Sequence, residues 1–368
     1  MGYEGIEKLF AQMERLGASD LHLKAGSPPI FRITGKVRPL DAPPLSGEDV
    51  RDLVFAILTE KQRSGFEAEG DLDLAYSLSG IGRFRISVYR QRGSVSVAVR
   101  RVQTRIPSFK ELHLETAAME RIATLRQGFV IVAGPTGTGK STTLAALINH
   151  INHHRRCHVV TIEDPIEYLF TDKRAFINQR EVGIDVASFR KALKHVVRQD
   201  PDVILIGEMR DAETVGTALT AAETGHLVFG TLHASSATQT IERMIDLFPP
   251  DREHQIRAGL RFNLRAIVCQ MLVPSIKEKV RLVPVQEILM INASARKLIA
   301  EGQDRKLVEL IRASRTEGMQ TFNQALSRLV RGGWVSEEVA LSYSPNPEQL
   351  RMLIKGIKLG DERKIIGS

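Results

Sequence analysis

The chain has 368 residues, 43% hydrophobic and 26% charged; that length predicts two domains with real cores, and the composition is that of a water-soluble globular protein. No apolar run approaches the ~18 residues that span a bilayer and no signal peptide opens the chain, which argues against an integral membrane protein and predicts a cytoplasmic one. Its two cysteines, Cys157 and Cys269, lie far apart without metal-ligand spacing, so neither a disulfide nor zinc is expected, and the net charge of +8 suits nucleic acid, an acidic membrane surface or subunit contacts around a nucleotide without choosing among them.

Residues 1–105 predict a separate α+β domain. Ile6, Leu9, Phe10, Met13 and Leu16 share one helical face, and Gly17 ends that helix. Leu21 and Leu23 alternate with Asp20, His22 and Lys24, as in a half-buried strand. Two short runs flank Thr34-Gly35-Lys36, which reads as a hairpin turn, and Ser46 can cap a helix carrying Leu53, Val54, Ile57 and Leu58. Three further alternating runs centre on Leu74, Ile86 and Val97, so the domain should be a mainly antiparallel sheet with helices against it.

This domain closes in a dense arginine set: Arg83, Arg85, Arg90, Arg92, Arg100, Arg101 and Arg105. One reading is a solvated strand face. The other is that Arg85, Arg90 or Arg100 reaches a phosphate bound by a neighbouring subunit, where an arginine supplied in trans stabilises charge on a transferring phosphoryl group. Residues 106–111 read as the linker, because Pro107 restricts the backbone on both sides.

From residue 112 to the end, strands alternate with helices and then give way to a helical remainder. The apolar strand Phe129–Ala133 runs into Gly134-Pro135-Thr136-Gly137-Thr138-Gly139-Lys140-Ser141, which fits the phosphate-loop pattern, with Thr142 following. Glycines let backbone N–H groups face an anion, Lys140 can reach the β- and γ-phosphates, and the Ser141 hydroxyl can ligate Mg²⁺. The helix that starts there should reach about His150 and add its positive end.

Three more strands end in chemistry. Val159–Ile162 leads to Glu163-Asp164-Pro165, Val203–Ile206 to Gly207-Glu208-Met209-Arg210-Asp211, and Leu227–Leu232 to His233. In open α/β sheets ligands sit at the carboxyl ends of strands, so these ends should converge beside the phosphate loop. Glu208 then suits activation of an attacking water, against a simple helix-cap role. Glu163 suits the metal's water shell or the attacking water. His233 suits γ-phosphate sensing; His226, just after Gly225, is either catalytic or a structural hydrogen-bonding residue. Arg210 either reaches a phosphate or pairs with Asp211 or Glu213. Residues 236–358 read largely as helices, with Leu260, Leu264, Ile267, Val268 and Met271 on one apolar face and one strand within 281–290.

Four ordered segments resemble the secretion ATPase superfamily: 134–141 its Walker A motif, 161–167 its aspartate box, 202–211 its Walker B motif and 224–233 its histidine box. The similarity extends from Ala18-Ser19-Asp20-Leu21-His22-Leu23 to Ser344-Pro345-Asn346-Pro347-Glu348, nearly the whole chain. Within the superfamily the chain looks most like the PilT family of type IV pilus retraction ATPases. It has no four-cysteine zinc motif and begins directly at the short domain, unlike assembly and type II secretion ATPases. Ala295-Arg296-Lys297-Leu298-Ile299 only approximates the Ala-Ile-Arg-Asn-Leu-Ile motif of retraction enzymes.

The resemblance implies a PAS-like α+β N-terminal domain, then a RecA-like P-loop ATPase domain with a helical C-terminal part. It implies ATP with Mg²⁺ as cofactors, a homohexameric ring, and an inner-membrane platform protein at the pilus base as partner. The function implied is ATP hydrolysis driving pilus retraction and twitching motility, with an accessory pilus or secretion-system ATPase as the alternative. A nucleic-acid translocase is the reading from another class. Aromatics are 5% of residues and show no basic-aromatic interleaving, so no nucleic acid is expected. A nucleotide-gated scaffold without turnover is disfavoured by the presence of Lys140, Glu163 and Glu208.

Overall fold

A computed structural model describes residues 5–357. It divides into two compact units, one of residues up to Arg105 with Glu167–Leu169, the other of Ile106–Ile166 with Phe170 onward.

In the first unit, α1 (Ile6–Leu16) leads to β1 (Ala18–Lys24), β2 (Ile30–Ile33) and β3 (Lys36–Pro39). Helices α2 (Gly47–Phe55) and α3 (Glu60–Glu69) precede a meander of β4 (Asp71–Leu78), β5 (Gly82–Gln91) and β6 (Ser94–Arg101). The order β3-β2-β1-β6-β5-β4 makes one antiparallel sheet. Its alternating strands send Leu21, Leu23, Phe84, Ile86, Val88, Val97 and Val99 to a single core. There α1 buries Ile6, Leu9, Phe10 and Met13, and Phe10 stacks on Phe84 with ring centroids 4.3 Å apart. Leu16, grouped with that face by periodicity, is 38% exposed, because the helix ends at Gly17 before its last turn meets the sheet. Helix α2 is capped by Ser46, whose side chain accepts from Asp49 N while Asp49 Oδ2 accepts from Ser46 N. Helix α3, which polar composition hides in the sequence, has the same reciprocal cap between Thr59 and Gln62.

The second unit is doubly wound. After α4 (Thr116–Ala123) come β7 (Gly128–Ala133), α5 (Lys140–His154), β8 (His158–Glu163) and β9 (Phe176–Glu181). Then follow α6 (Phe189–Val196), β10 (Val203–Ile206), α7 (Ala212–Glu223), β11 (Leu227–Leu232), α8 (Ala237–Asp246) and α9 (Glu253–Asn263). Next are β12 (Leu264–Pro274) and β13 (Leu282–Met290). The remaining helices are α10 (Ala293–Ala300), α11 (Leu307–Ala313), α12 (Phe322–Arg331), α13 (Glu337–Tyr343) and α14 (Pro347–Ile354). The sheet order is β13-β12-β7-β11-β10-β8-β9, parallel except for the β12–β13 pair. Strands β7, β10 and β11 are buried at every position, as continuous apolar runs in a two-sided parallel sheet must be.

Ile57 and Leu58, expected on the helix capped by Ser46, lie beyond its end at Phe55. Leu264, Ile267, Val268 and Met271 do not form a helical face with Leu260: they belong to β12, which pairs parallel with the phosphate-loop strand β7 and antiparallel with β13. Helical spacing of apolar residues is also met by any nearly continuous apolar run, and here the strand neighbours decide. Helix α5 continues beyond His150 to His154. Among the described residues no helix is long and apolar enough to cross a membrane.

Candidate active site at the phosphate loop

The loop between β7 and α5 is held from three sides. Gly134 N donates to Leu232 O (3.2 Å) of the neighbouring strand segment. Thr138 Oγ1 donates to Pro135 O (2.9 Å) across the turn. From beneath, the Gln270 side chain donates from Nε2 to Thr138 O (2.6 Å). Gly134 has φ +156, and a Cβ there would lie 2.4 Å from Gln270 O, so any side chain would push the loop off β12. Lys140 Nζ donates to the loop's own carbonyls, Gly134 O at 2.8 Å and Pro135 O at 3.0 Å. A cation folded back over backbone carbonyls at a helix N-terminus is placed where an anion would offer stronger, charge-assisted bonds. Pro135, Thr136, Gly137 and Ser141 are exposed, while Gly139, Lys140 and Thr142 are half-buried.

Gln270 is one residue of a buried file that sequence reasoning missed. Its Oε1 accepts from Thr143 Oγ1 (2.9 Å) on α5 and from Gln286 Nε2 (3.0 Å) on β13. Gln286 Oε1 accepts from Glu115 N (3.1 Å), and Gln286 O accepts from Gln320 Nε2 (2.9 Å). Every side-chain amide in the file is paired, as groups this deeply buried must be. The only available signal was a glutamine inside the apolar run 266–273, a polar residue on a strand that must be buried.

The strand ends bring Glu208, Arg210 and His233 together. Glu208 Oε2 accepts from Arg210 Nη2 at 2.6 Å, and Glu208 Oε1 lies 2.9 Å from His233 Nε2. The Arg210 hydrogen bond holds the Glu208 carboxyl below the usual carboxylate range, against the opposing effect of partial burial and with help from the charge of Arg210 and from His233. Arg210 therefore pairs with neither Asp211 nor Glu213. Asp211 caps α7 by accepting from Thr214 N (2.8 Å), and Glu213 pairs with Arg190 and Lys194. Thr231 Oγ1 donates to Gly207 O (2.5 Å) and Met209 N to Thr231 O (3.0 Å), so the segment bearing Glu208 is fastened to the strand bearing His233.

Glu163 ends β8, next to β10. Its Oε1 accepts from Thr161 Oγ1 (2.7 Å) and from Gln179 Nε2 (3.2 Å) on β9. These two bonds, one from its own strand and one from β9, hold the carboxylate at the strand end. Among the described residues no group of three or more His, Cys, Asp or Glu could hold a metal ion by itself. Ser141 offers an exposed hydroxyl and Glu163 a carboxylate, the oxygen donors that a Mg²⁺ carried in on nucleotide phosphates would take beside its waters.

His226 does not join this group. It precedes β11, and in register Leu227 faces Gly128 at the start of β7, so it lies at the amino edge of the parallel sheet. The phosphate loop leaves the other edge, six residues or roughly 20 Å along the strand. His226 Nδ1 is 2.9 Å from Ala221 O and 3.1 Å from Thr224 Oγ1, which ties off the end of α7. The structural alternative for this histidine is the one its surroundings carry within the chain.

In the first unit, Arg85 and Arg100 face each other across β5 and β6, and Arg100 faces Asp20 across β1. Arg100 Nε donates to Asp20 Oδ1 (2.8 Å). Burial works to raise the Asp20 pKa, but bonds from Arg100 and Ser19 and the charges of Arg100 and Arg32 bring it below the usual range. Arg90 donates to Glu67 O (3.0 Å) and lies over the Phe66 ring (5.8 Å), closing α3 against the sheet. Arg85 is exposed.

A phosphate loop at the carboxyl end of a parallel strand, with carboxylates on the strands beyond, defines a P-loop nucleotide-binding domain of RecA type. Residues 6–296 match the family model described as type II/IV secretion system protein. The chain belongs to that family, in its PilT branch, and is an ATPase. It is 44% identical over 357 residues to the type IV pilus ATPase PilU of Pseudomonas aeruginosa, covering 97% of this chain and 92% of that one. It is 40% identical over 343 residues to the type IV pilus retraction ATPase PilT of the same organism, covering 93% and 99%. A crystal structure of the pilus retraction motor PilT with bound ADP superposes with a TM-score of 0.87 at 44% identity, covering 95% of this chain and 99% of that chain.

Proposed function

We propose that this protein hydrolyses ATP to power retraction of a type IV pilus, working as a homohexameric ring against an inner-membrane platform protein from the cytoplasmic side. The observation that carries the reading is the joined Glu208, Arg210 and His233 cluster in a P-loop domain, in a chain whose PilT and PilU relatives match over nearly its full length.

Lys140 exchanges the Gly134 and Pro135 carbonyls for β- and γ-phosphate oxygens, while loop N–H groups hold the phosphates. The Ser141 hydroxyl, with Glu163 for its water shell, would hold a Mg²⁺ arriving with the nucleotide, which would supply positive charge for the phosphates. Glu208 is ionised at neutral pH and orients the attacking water. Both of its oxygens are engaged in the structure, so a γ-phosphate that draws Arg210 and His233 toward itself also releases the carboxylate for that water. Arg85 is the best candidate for a residue acting in trans, since Arg90 and Arg100 already serve their own unit.

The accessory-ATPase reading keeps one specific support. Ala295 and Ile299 are buried on α10 as in a packing motif, but Lys297 is exposed and the segment departs from the retraction consensus. The enzymatic part is tested with Lys140→Ala. ADP binding and turnover should both fall by at least 10²-fold, the scale of a lost charge-assisted phosphate contact with its positioning effect. Wild-type turnover in the variant would remove the phosphate-loop assignment.

A further inference from the structure

The second unit holds another cleft, of about 750 Å³, in its helical C-terminal part. Its walls carry Arg312 and Arg315 from the end of α11 and the turn after it, and Arg328 and Arg331, three residues apart on α12. Among the described residues Glu115 is the one carboxylate lining the cleft with these four guanidiniums, and it is paired with Arg328 Nη2 at 2.5 Å. Arg312 Nε is buried and has no hydrogen-bond partner. The floor is polar, with Gln320 and Gln324 among its residues.

We propose that this cleft is a second anion site, distinct from the phosphate loop, which binds a small ligand carrying two or more phosphoryl groups. Four guanidiniums grouped with one carboxylate among the described residues repel one another, and an anion between them reverses the sign of that interaction. Their planar forks suit phosphoryl oxygens two at a time; Arg328 is already bonded to Glu115 and Gln320 and Arg331 to Leu353 O, so Arg312 and Arg315 lead the contact. The volume is that of small-molecule sites and the surface is concave, whereas a docking face for a protein would be broader and flatter. The cleft is also wired to the first site. Arg328 Nη2 donates to Gln320 Oε1 (3.0 Å), and Gln320 begins the glutamine file that ends on Thr138 of the phosphate loop.

The test titrates inorganic pyrophosphate calorimetrically, in metal-free buffer, into the full-length Lys140→Ala chain, whose phosphate loop is disabled. The expected result is one saturable site per chain, weakened at least tenfold when Arg315→Gln is added. Arg315 is exposed, so that change spares the core, and matching thermal melts would check it. Arg312→Gln, added instead, should weaken binding similarly. No saturable heat, or equal affinity with and without the arginine changes, would overturn the site. So would loss of ring assembly on Arg315→Gln with no pyrophosphate binding, which would give these arginines to an acidic surface of a neighbouring subunit. None of these outcomes depends on whether the phosphate loop turns over ATP.

Discussion

At the scale of single residues, the two most informative carboxylates titrate in opposite directions. Glu208 is held low by Arg210, so its contribution is present above the ordinary glutamate range and is lost as pH falls through its native value. Glu287 on β13 is the reverse case. It is buried and accepts from Ala237 N (2.9 Å) at the start of α8, and burial outweighs that bond and raises its pKa. The folded state then holds a proton that the unfolded state releases above about pH 4.3, so stability falls as pH rises from there to the raised native value. Glu287→Gln keeps the acceptor for Ala237 and removes the titration. Melting temperature measured from pH 5 to 8 should fall less steeply in the variant than in the wild type. Identical slopes would show that Glu287 is ionised in the fold. At this scale the sequence was most legible where type and position agreed. Glu208 and His233 end apolar strands, and they meet. His226 stands equally close in sequence to the same strand but at its other end, and strand polarity, not proximity, decides.

Elements explain what was missed. Successive parallel strands are usually joined by a helix, and much of 128–232 carries that alternation openly, so β7, β8, β10 and β11 could be read directly. Strand β9 could not, because Phe176–Glu181 is a polar edge segment with no buried run. Strand β12 was hidden for the opposite reason, being apolar at almost every position. With β12 misread, the glutamine file that supports the phosphate loop was invisible, since it exists only once β12 lies beside β7 and β13. Gln270→Leu tests that support. It leaves Thr138 O, Thr143 Oγ1 and the Gln286 amide buried without that partner, at about 1–3 kcal/mol per unsatisfied group. A lower melting temperature and roughly tenfold weaker ADP binding are expected, the second because the loop loses the Gln270 bond to Thr138 O from β12. Unchanged ADP affinity would make the file purely structural.

For the whole molecule, the account requires subunits to cooperate. Arg85 lies in a different unit from the phosphate loop, on the strand face it shares with Arg100. If it completes a neighbour's site, Arg85→Ala should lower turnover by roughly 10²-fold or more, the scale of an arginine acting on the transferring phosphoryl group. Assembly and nucleotide binding should persist. Mixing Arg85→Ala with Glu208→Gln protein should then recover part of the activity, read as ATPase rate against mixing ratio, because one chain supplies the arginine and another the carboxylate. Turnover that stays additive in the mixtures would return Arg85 to the role of a solvated strand residue. The four ordered motifs made the ATPase legible from sequence, but ring and pilus came only from resemblance, since no periodicity or charge pattern encodes a partner.

The most direct measurement replaces the chromosomal gene with Glu208→Gln and follows fluorescently labelled pili on living cells. Glu208→Gln preserves the side chain's shape and its acceptor for Arg210 while removing the charge that orients water. The account predicts that pili still extend, that retraction events disappear or slow by at least tenfold, and that twitching is lost. Retraction at wild-type frequency and speed, with the variant protein present at normal levels, would contradict it.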